Sequence, residues 1–416
     1  MLTEIINKSS IAFCIFKNIL YEMEEIFKKK TWLNVIKNPD RVLVPLPVIE
    51  KFNQSVHKDI FAGAKPPDSF DRELAELGKL YFSSSKEKTN ILKRVEKILK
   101  SVKSTDAFAI STERGRIRTL PLEKPVFNER DGDMDRIQES GVEIGEGMRV
   151  LLASEGGRWF FVRTPFYEGW IRGKSVGIID KETLKAYLTE KPFYVVIGNY
   201  VFTMPSPDEH TSMKMLGMGA KLPKGDAGSI NGQFKTVQKV VKIPVRKRNG
   251  NAEIKNAYLS FDADVSEGYL KFTRRNILNE AFKLIGERYG WGDSFQARDC
   301  SSTIRSIFKT MGVMMPRNAS EQERIKLGKS VSMDGLSDGE KLDLLNGFDL
   351  GDLLFMKGHV MMYFGKLKDV HYIFHNFHSI FYGKDTDFNG AYITPVTVRF
   401  GNGKTALSEL RKGIRF

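Results

Sequence analysis

Hydrophobic residues recur at intervals of three and four in the first hundred residues, and this spacing predicts helices there. The pattern is clearest over 70–82 and 90–102, and the acidic Asp71 and Glu73 are typical of a helix start. No residue pattern in this part suggests chemistry. We therefore predict that 1–107 is a helical N-terminal segment that stabilises the rest of the chain.

From residue 108 onward, short β-rich runs are separated by Gly, Asp and Asn. Strands of about five residues, spaced roughly 8 to 12 residues apart, are typical of small β-barrels. Clear examples are 148–154, 159–163 and 167–171. The pattern predicts one small barrel over 108–185 and a second over 190–272.

The last unit, 273–416, combines helices with strands. Apolar residues share one face over 277–288 and over 301–311, which predicts two amphipathic helices. Helices followed by antiparallel strands indicate an α+β domain, so the predicted fold class is multidomain α+β. The predicted strands are 353–356, 359–364 and 370–377.

The composition is that of ordinary globular proteins, with 41% hydrophobic and 28% charged residues in a chain of 416. It excludes collagen-like, mucin-like and wholly disordered classes. No run of about 18 apolar residues predicts a transmembrane helix. The two cysteines, Cys14 and Cys300, lie too far apart to indicate a disulfide framework or a thiolate zinc site.

Lysine and arginine number 65 against 51 acidic residues, which gives a net charge of +14. A positive field favours anionic partners such as nucleic acid, an anionic membrane face or the bacterial wall. The densest basic run, 242–248, is short and is interpreted as a solvated loop. Because no nucleic-acid-binding motif accompanies the charge, we predict no nucleic-acid partner.

The first residues resemble a secretion signal only weakly. Lys8 precedes an apolar stretch over 9–16, but Lys17 interrupts it and no small-residue cleavage site follows. The alternative is an amphipathic helix that continues through 19–23.

Cys300 is the residue whose position most needs a chemical explanation. It follows Asp299 and opens the helix predicted after it, where the helix dipole favours a thiolate. The alternative is a buried cysteine that acts as a small hydrophobic residue. The polar neighbours Arg298, Ser301 and Ser302 argue against that alternative.

A nucleophilic cysteine needs a base, and the base needs an orienting partner. His359 begins a strand after a Gly turn and is the candidate base. Its partner on the next strand is His371 or His375, which lie about 13 Å apart along a strand and cannot both serve. A loop at 366–368 sets His359 opposite His375, which we therefore favour.

His371 and His378 are interpreted as surface or rim residues. A metal site is the other use of several histidines, but their spacing fits no zinc-peptidase pattern. We predict that the protein holds no metal.

Five short motifs follow one another in the C-terminal unit. They are Tyr289-Gly290-Trp291-Gly292, Arg298-Asp299-Cys300-Ser301-Ser302, Pro316-Arg317-Asn318-Ala319-Ser320, Gly351-Asp352-Leu353-Leu354 and Gly358-His359-Val360. In order and spacing they resemble the NlpC-type papain-like cysteine peptidases of bacterial walls. The one departure near the cysteine is Ser302, where the family usually has Gly. The upstream β-rich units resemble the paired SH3-like modules of one branch, in which a helical segment stabilises the array.

The resemblance implies a cysteine endopeptidase that cleaves peptidoglycan stem peptides without a cofactor. The bond is the one between γ-D-glutamate and the following diamino acid, meso-diaminopimelate or lysine. By resemblance, Cys300 is the nucleophile, His359 the base and His375 its orienting residue.

The resemblance also implies a substrate whose leading L-Ala has a free amine. Asp299 and Ser301 match positions that contact this amine, and the first barrel lends an aromatic and an acidic residue to the site. Tyr167 is the candidate aromatic; the acidic residue is not identified. The residues assigned to substrate binding are Asp299, Ser301, Tyr167, Trp291, Arg317 and Ser320.

Two other functions remain open. One is a wall-binding protein with an inactive peptidase domain, and the other is an amidase or acyl-transfer toxin of the same fold. Retention of Cys300, His359 and His375 favours the peptidase, and the two barrels disfavour the toxin. The resemblance favours the cell envelope, periplasmic or secreted, as location; cytoplasmic recycling of wall peptides is the alternative.

Overall fold

The computed structural model describes residues 25–128, 132–382 and 386–416. The signal-like stretch and the amphipathic helix predicted over 8–23 lie outside these residues. Across the described ranges, no helix is both long enough and apolar enough to cross a membrane.

The N-terminal segment is helical, as predicted. Helix α3 begins at Asp71 but ends at Leu77 before Gly78, earlier than the spacing predicted. Helix α4 begins earlier than predicted because the Ser84 side chain accepts a hydrogen bond from the Glu87 amide and caps it. The helices whose two ends both lie in the described residues are α1 (Lys29–Leu33), α2 (Leu46–Val56), α3 (Asp71–Leu77) and α4 (Ser85–Lys100).

The first β-rich unit forms one seven-stranded antiparallel sheet in the order β3-β2-β6-β5-β4-β1-β7. Alternate apolar side chains point into a shared core, which includes Ile117, Val150 and Val162. A following helix, α5 (Lys181–Thr189), is capped by Asp180. The strands are β1 (Lys103–Ser111), β2 (Gly115–Arg118), β3 (Gln138–Val142), β4 (Gly147–Ala153), β5 (Trp159–Arg163), β6 (Glu168–Arg172) and β7 (Val176–Ile179).

The second β-rich unit consists of smaller sheets around a core of its own. Its longest pairing joins β14 and β15 over eight residue pairs, from Lys239–Leu259 to Arg246–Ala252. The strands are β8 (Phe193–Val196), β9 (Tyr200–Phe202), β10 (Met215–Gly217), β11 (Lys221–Pro223), β12 (Ser229–Ile230), β13 (Gln233–Phe234), β14 (Lys239–Arg246), β15 (Ala252–Leu259) and β16 (Val265–Glu267).

The C-terminal unit packs helices on an antiparallel sheet with the order β17-β23-β18-β19-β20-β21, and β22 pairs with β20. This arrangement confirms the predicted α+β class. Its helices are α6 (Arg274–Phe282), α7 (Cys300–Lys309), α8 (Ala319–Gln322), α9 (Asp338–Leu345) and α10 (Ala406–Glu409). Its strands are β17 (Lys329–Ser332), β18 (Leu353–Met356), β19 (His359–Leu367), β20 (Val370–Tyr382), β21 (Thr386–Pro395), β22 (Arg399–Phe400) and β23 (Lys412–Arg415).

The N-terminal segment is fastened to this sheet by a buried tryptophan. Trp32 is fully buried, and its ring centroid lies 4.9 Å from that of Phe364 and 5.5 Å from that of Tyr372. A Cβ on Gly365 would lie 3.2 Å from the Trp32 ring, so the absence of a side chain there permits the close approach. The helical segment therefore completes the core of the C-terminal unit.

The β19–β20 hairpin has a different turn from the one predicted. The expected three-residue loop at 366–368 is instead a two-residue turn, in which Leu367 pairs with Val370. Lys368 and Asp369 both have positive φ, 46° and 65°, as the tight turns that match strand twist require. The predicted register is therefore wrong.

A bulge at Phe364 then shifts the pairing by one position. Continued along the strands, the register sets His359 opposite Phe377 and not opposite His375. If the pairing set by the turn continued unchanged, the residue opposite His359 would be an odd number of positions from His375, and the two histidines would lie on opposite faces of the sheet. The bulge shifts the pairing by one residue, so the residue opposite His359 is two positions from His375. His359 and His375 therefore share a face.

Candidate active site

Cys300 is the first residue of α7, and the cap of that helix fixes its position. The Asp299 carboxylate accepts a hydrogen bond from the Ser302 amide at 2.9 Å, and the Ser302 hydroxyl accepts one from the Asp299 amide at 2.9 Å. This reciprocal pair is a capping box. Ser302, the departure from the family motif, thus contributes a cap that Gly would lack.

The Cys300 sulfur is buried, and its surroundings do not lower the pKa of the thiol. The side chain is 8% exposed, and the sulfur accepts a hydrogen bond from the backbone N–H of Val360, the residue after His359. Burial, reinforced by the Asp299 carboxylate, raises the pKa of the thiol to about 12. We expected the dipole at the helix start to favour the thiolate form of Cys300. The raised pKa shows that this expectation is wrong.

His359 and His375 lie on one face of the sheet with ring centroids 6.2 Å apart. Nε2 of His359 and Nδ1 of His375 are buried and have no hydrogen-bond partner among the described residues, whereas Nε2 of His375 lies 2.9 Å from the Thr394 hydroxyl oxygen. Burial, with His375 adding to it, holds the pKa of His359 well below 6.5, and burial lowers that of His375 to about 3. Both rings are therefore neutral at pH 7.

The other two histidines of this sheet are not part of this pair. His371 is buried, with Nδ1 2.8 Å from the Tyr363 hydroxyl oxygen, so its assignment to the surface is wrong. His378 lies at the rim, where Nε2 is 2.7 Å from an Asp133 carboxylate oxygen. In the part of the chain that the structure describes, no three His, Cys, Asp or Glu side chains could hold a metal.

Asp299, the residue before Cys300, forms a buried ion pair with Arg317. The Arg317 guanidinium donates to both Asp299 oxygens, at 2.7 and 3.2 Å, and to the Ser301 hydroxyl at 3.0 Å. Its Nε donates to the Ser140 hydroxyl on β3 at 2.9 Å. Arg317 is 2% exposed, and despite that burial the Asp299 and Asp293 carboxylates raise its pKa further.

The loop that leads to Cys300 is held in place by the first β-rich unit. Asp293, Phe295 and Gln296 have positive φ, a conformation that costs on the order of 1–3 kcal/mol for each non-glycine residue. The Gly141 amide donates to the Asp293 carboxylate at 2.7 Å, and the Gln138 side-chain amide donates to the Gly292 carbonyl at 2.8 Å. These bonds stabilise the strained loop from outside the C-terminal unit.

The second β-rich unit supports the same loop from the other side. Arg298 is almost fully buried and pairs with Glu287 at 2.8 Å and with the Asn199 side-chain oxygen at 2.7 Å. Its guanidinium also lies 5.2 Å from the centroid of the Tyr200 ring. Cys300 is therefore positioned jointly by three units of the chain.

Two family models match parts of the chain. Residues 286–380 match the NlpC/P60 family, and residues 122–172 match an SH3 domain of the SH3b1 type. The C-terminal unit contains an NlpC/P60 domain. The matched residues include the candidate pair Cys300 and His359, and the SH3b match covers β3 to β6 of the first β-rich unit.

The full arrangement resembles solved NlpC/P60 proteins. An NlpC/P60 endopeptidase from Photobacterium damselae subsp. piscicida superposes with a TM-score of 0.75 at 16% identity, covering 92% of this chain and 96% of that one. An NlpC/P60 family protein from Bacillus cereus gives a TM-score of 0.50 at 18% identity, covering 74% and 99%. These likenesses confirm the fold.

One relative in sequence has a name that states an enzymatic activity. The chain is 27% identical over 237 residues to the gamma-D-glutamyl-L-lysine dipeptidyl-peptidase of Bacillus subtilis strain 168, covering 53% of this chain and 69% of that protein. Together with the NlpC/P60 match, this supports the prediction of a peptidase with SH3-like modules.

Near the ion pair of Asp299 and Arg317, the structure places an acidic residue that the sequence did not identify. The Tyr167 hydroxyl donates to the carboxylate of Glu139, which lies on β3 and is partly buried. Burial raises the pKa of Glu139, while the Tyr167 bond and Arg317 oppose the rise. Glu139 immediately precedes Ser140, the Arg317 ligand, and this adjacency is visible only once β3 is placed.

Tyr289 is a second residue that the sequence analysis left without a role. It is 8% exposed, and burial together with the nearby Cys300 raises the pKa of its phenol, so it stays a neutral donor. Trp291 is half-buried with the Arg136 guanidinium 4.8 Å from the centroid of its ring. Ser320 is exposed on α8, apart from the hydrogen bonds that join Asp299 to Arg317.

Replacing Arg317 by Gln should destabilise the NlpC/P60 domain. The change leaves the Asp299 carboxylate buried without its cation, and we expect the free energy of unfolding to fall by about 3–5 kcal/mol. Arg324→Gln, at an exposed position of the same region, should change it by less than about 0.5 kcal/mol. Urea denaturation followed by circular dichroism measures both; equal effects would contradict the assigned role of the ion pair.

Proposed function

We propose that the protein is a cysteine endopeptidase that hydrolyses the bond between γ-D-glutamate and a diamino acid in peptidoglycan stem peptides. The observation that carries the proposal is the enclosure of the Cys300 sulfur against the backbone that follows His359. The unpaired buried nitrogens of His359 and His375 support it, because a base and its orienting residue need such atoms free. The dipeptidyl-peptidase relative supports the bond class.

The proposed reaction proceeds through a thioester. His359 accepts the thiol proton through Nδ1 while the sulfur attacks the γ-carbonyl carbon, and Nε2 of His359 then donates to Nδ1 of His375. The Cys300 backbone N–H, free at the helix start, and the Tyr289 hydroxyl stabilise the oxyanion. His359 protonates the leaving amine as the C–N bond breaks.

Hydrolysis of the thioester completes the cycle. A water molecule gives its proton to His359 and attacks the same carbonyl carbon. The C–S bond breaks, and the sulfur recovers its proton from His359. Before substrate binds, the Cys300 thiol and the His359 imidazole are both neutral, which suits a buried site. A thiolate and an imidazolium then form only when the substrate has excluded the remaining water.

We further propose that Glu139 and Tyr167 recognise the free amine of the leading L-Ala. The Asp299 carboxylate is already satisfied by Arg317 and by the Gly292 amide, so Glu139 carries the larger share of this recognition. An ammonium ion would offset the desolvation of the Glu139 carboxylate. Ser301 and Trp291 complete the same wall of the cleft.

The first test is incubation of the full-length protein with L-Ala-γ-D-Glu-meso-diaminopimelate, analysed by mass spectrometry. We expect release of L-Ala-γ-D-Glu by the wild type and loss of activity in Cys300→Ala by at least about a thousandfold. Ser330→Ala, at an exposed position of β17 to which no role is assigned, serves as the control and should keep its rate. Cleavage by Cys300→Ala, or no cleavage of either this peptide or its lysine analogue, would overturn the proposal.

The pH dependence follows from the two neutral groups. Because the pKa of His359 lies well below 6.5, the imidazole remains an available base in mildly acidic solution. The thiol pKa of about 12 keeps Cys300 protonated to high pH. We expect kcat/KM to be level from about pH 6 to about pH 9. An acid limb centred at pH 6.5 or above would contradict this, provided circular dichroism shows the protein folded there.

Selectivity for the free amine tests the role of Glu139. The wild type should prefer the tripeptide over its N-acetylated form, and Glu139→Gln should reduce this preference by about tenfold or more. Glu155→Gln, exposed on the same barrel, is the matched control. An unchanged preference in Glu139→Gln, with normal thermal stability, would assign amine recognition elsewhere.

A further inference from the structure

A separate cavity of about 280 Å³ lies where all four parts of the chain meet. The N-terminal segment, both β-rich units and helix α7 each contribute to its wall. Its lining is distinct from Cys300, His359 and His375. The charged or titratable residues among its walls are His57, Glu146, Lys221, Arg305 and Lys309.

Arg305 is the charged residue of this cavity that most restricts its ligand. Its guanidinium stacks on the Phe166 ring, with the central carbon 3.5 Å from the ring centroid. Within the described ranges, it forms no hydrogen bond or ion pair with another residue. Stacking fixes the orientation of a guanidinium while leaving its N–H edge free for a planar anion.

The rest of the cavity also has an excess of positive charge. Lys309 pairs with Glu146, but Lys221 donates only to the Leu188 carbonyl, at 2.6 Å. Burial and the two nearby cations, Arg305 and Lys309, lower the pKa of His57 to about 4, so this ring is neutral. Among the residues that the structure describes, neither Arg305 nor Lys221 forms an ion pair, although the charge of Glu146 acts on Arg305 from a longer distance.

Two further features restrict what could fill the space. The remaining walls are largely apolar, with Tyr187, Leu188, Tyr269 and Met314 among them. The second oxygen of the Glu146 carboxylate is buried and lacks a donor. An occupant thus needs an anionic group, an apolar body and, for a full match, one hydrogen-bond donor.

We propose that this cavity is a binding site for a small organic carboxylate with an apolar body. The carboxylate accepts two hydrogen bonds from the stacked Arg305, the apolar body fills the space between Tyr187 and Met314, and a hydroxyl or amino group donates to Glu146. A bare inorganic anion would leave the apolar walls unfilled and bind less tightly.

The position of the site gives its occupant a structural consequence. Arg305 lies on α7, the helix that begins at Cys300, and Phe166 precedes Tyr167. A bound carboxylate would therefore join the first barrel to the helix that carries the nucleophile. The proposal concerns binding alone and holds whether or not the peptidase activity is the one proposed above.

The test is titration calorimetry of the full-length protein with four probes: benzoate, 4-hydroxybenzoate, benzyl alcohol and inorganic phosphate. We expect saturable binding of benzoate, tighter binding of 4-hydroxybenzoate, and weaker or no binding of the other two. Arg305→Gln and Lys221→Met should each weaken 4-hydroxybenzoate binding, the former by about tenfold or more. Arg324→Gln, an exposed arginine, is the matched control.

We expect the fold to survive these changes, because Arg305 forms no hydrogen bond or ion pair with another described residue and Lys221 forms a single hydrogen bond, to the Leu188 carbonyl. Thermal unfolding of each variant checks this. No saturable heat with either benzoate would overturn the proposal, as would equal weakening in Arg305→Gln and Arg324→Gln. Phosphate binding as tight as that of 4-hydroxybenzoate would also overturn it and indicate a simple anion site.

Discussion

The buried ion pair between Asp299 and Arg317 is the interaction on which the site depends. The same carboxylate caps α7, holds Ser301 and receives the amide of Gly292, while the guanidinium reaches Ser140 of the first barrel. Removing Arg317 would leave the buried Asp299 carboxylate without its cation, which is more unfavourable than losing an exposed pair. The position of Cys300 and the docking of the barrel are therefore linked.

Because of this linkage, the NlpC/P60 domain does not position Cys300 alone. The preceding loop contains non-glycine residues at positive φ, and isolated chain would relax from that conformation. Hydrogen bonds donated by Gln138 and Gly141 on one side, and by Arg298 to the Asn199 side-chain oxygen on the other, keep the loop in place. The β-rich units thus fix the loop that precedes Cys300.

Much of the architecture could be predicted because its signals are local. Short apolar runs marked the strands at 159–163 and 353–356 with their observed bounds, and the polar sequence around Cys300 marked the helix start. The histidine pair was also within reach, because strand periodicity places His359 and His375 on one face once the register is even. Helix ends were less certain, as Leu77 shows, because Gly78 ends the helix where the apolar spacing continues.

The sequence by itself determined the order of elements, the family motifs and the identity of the candidate nucleophile and base. Only the tertiary structure decided the register, because a single bulge at Phe364 compensates for a turn that the residue pattern did not reveal. It also decided that Cys300 is a neutral thiol, that Glu139 accompanies Tyr167, and that Arg305 faces a cavity without forming an ion pair to any described residue. Burial and charge pairing depend on residues far apart in sequence, and their distances are set only when the units pack together.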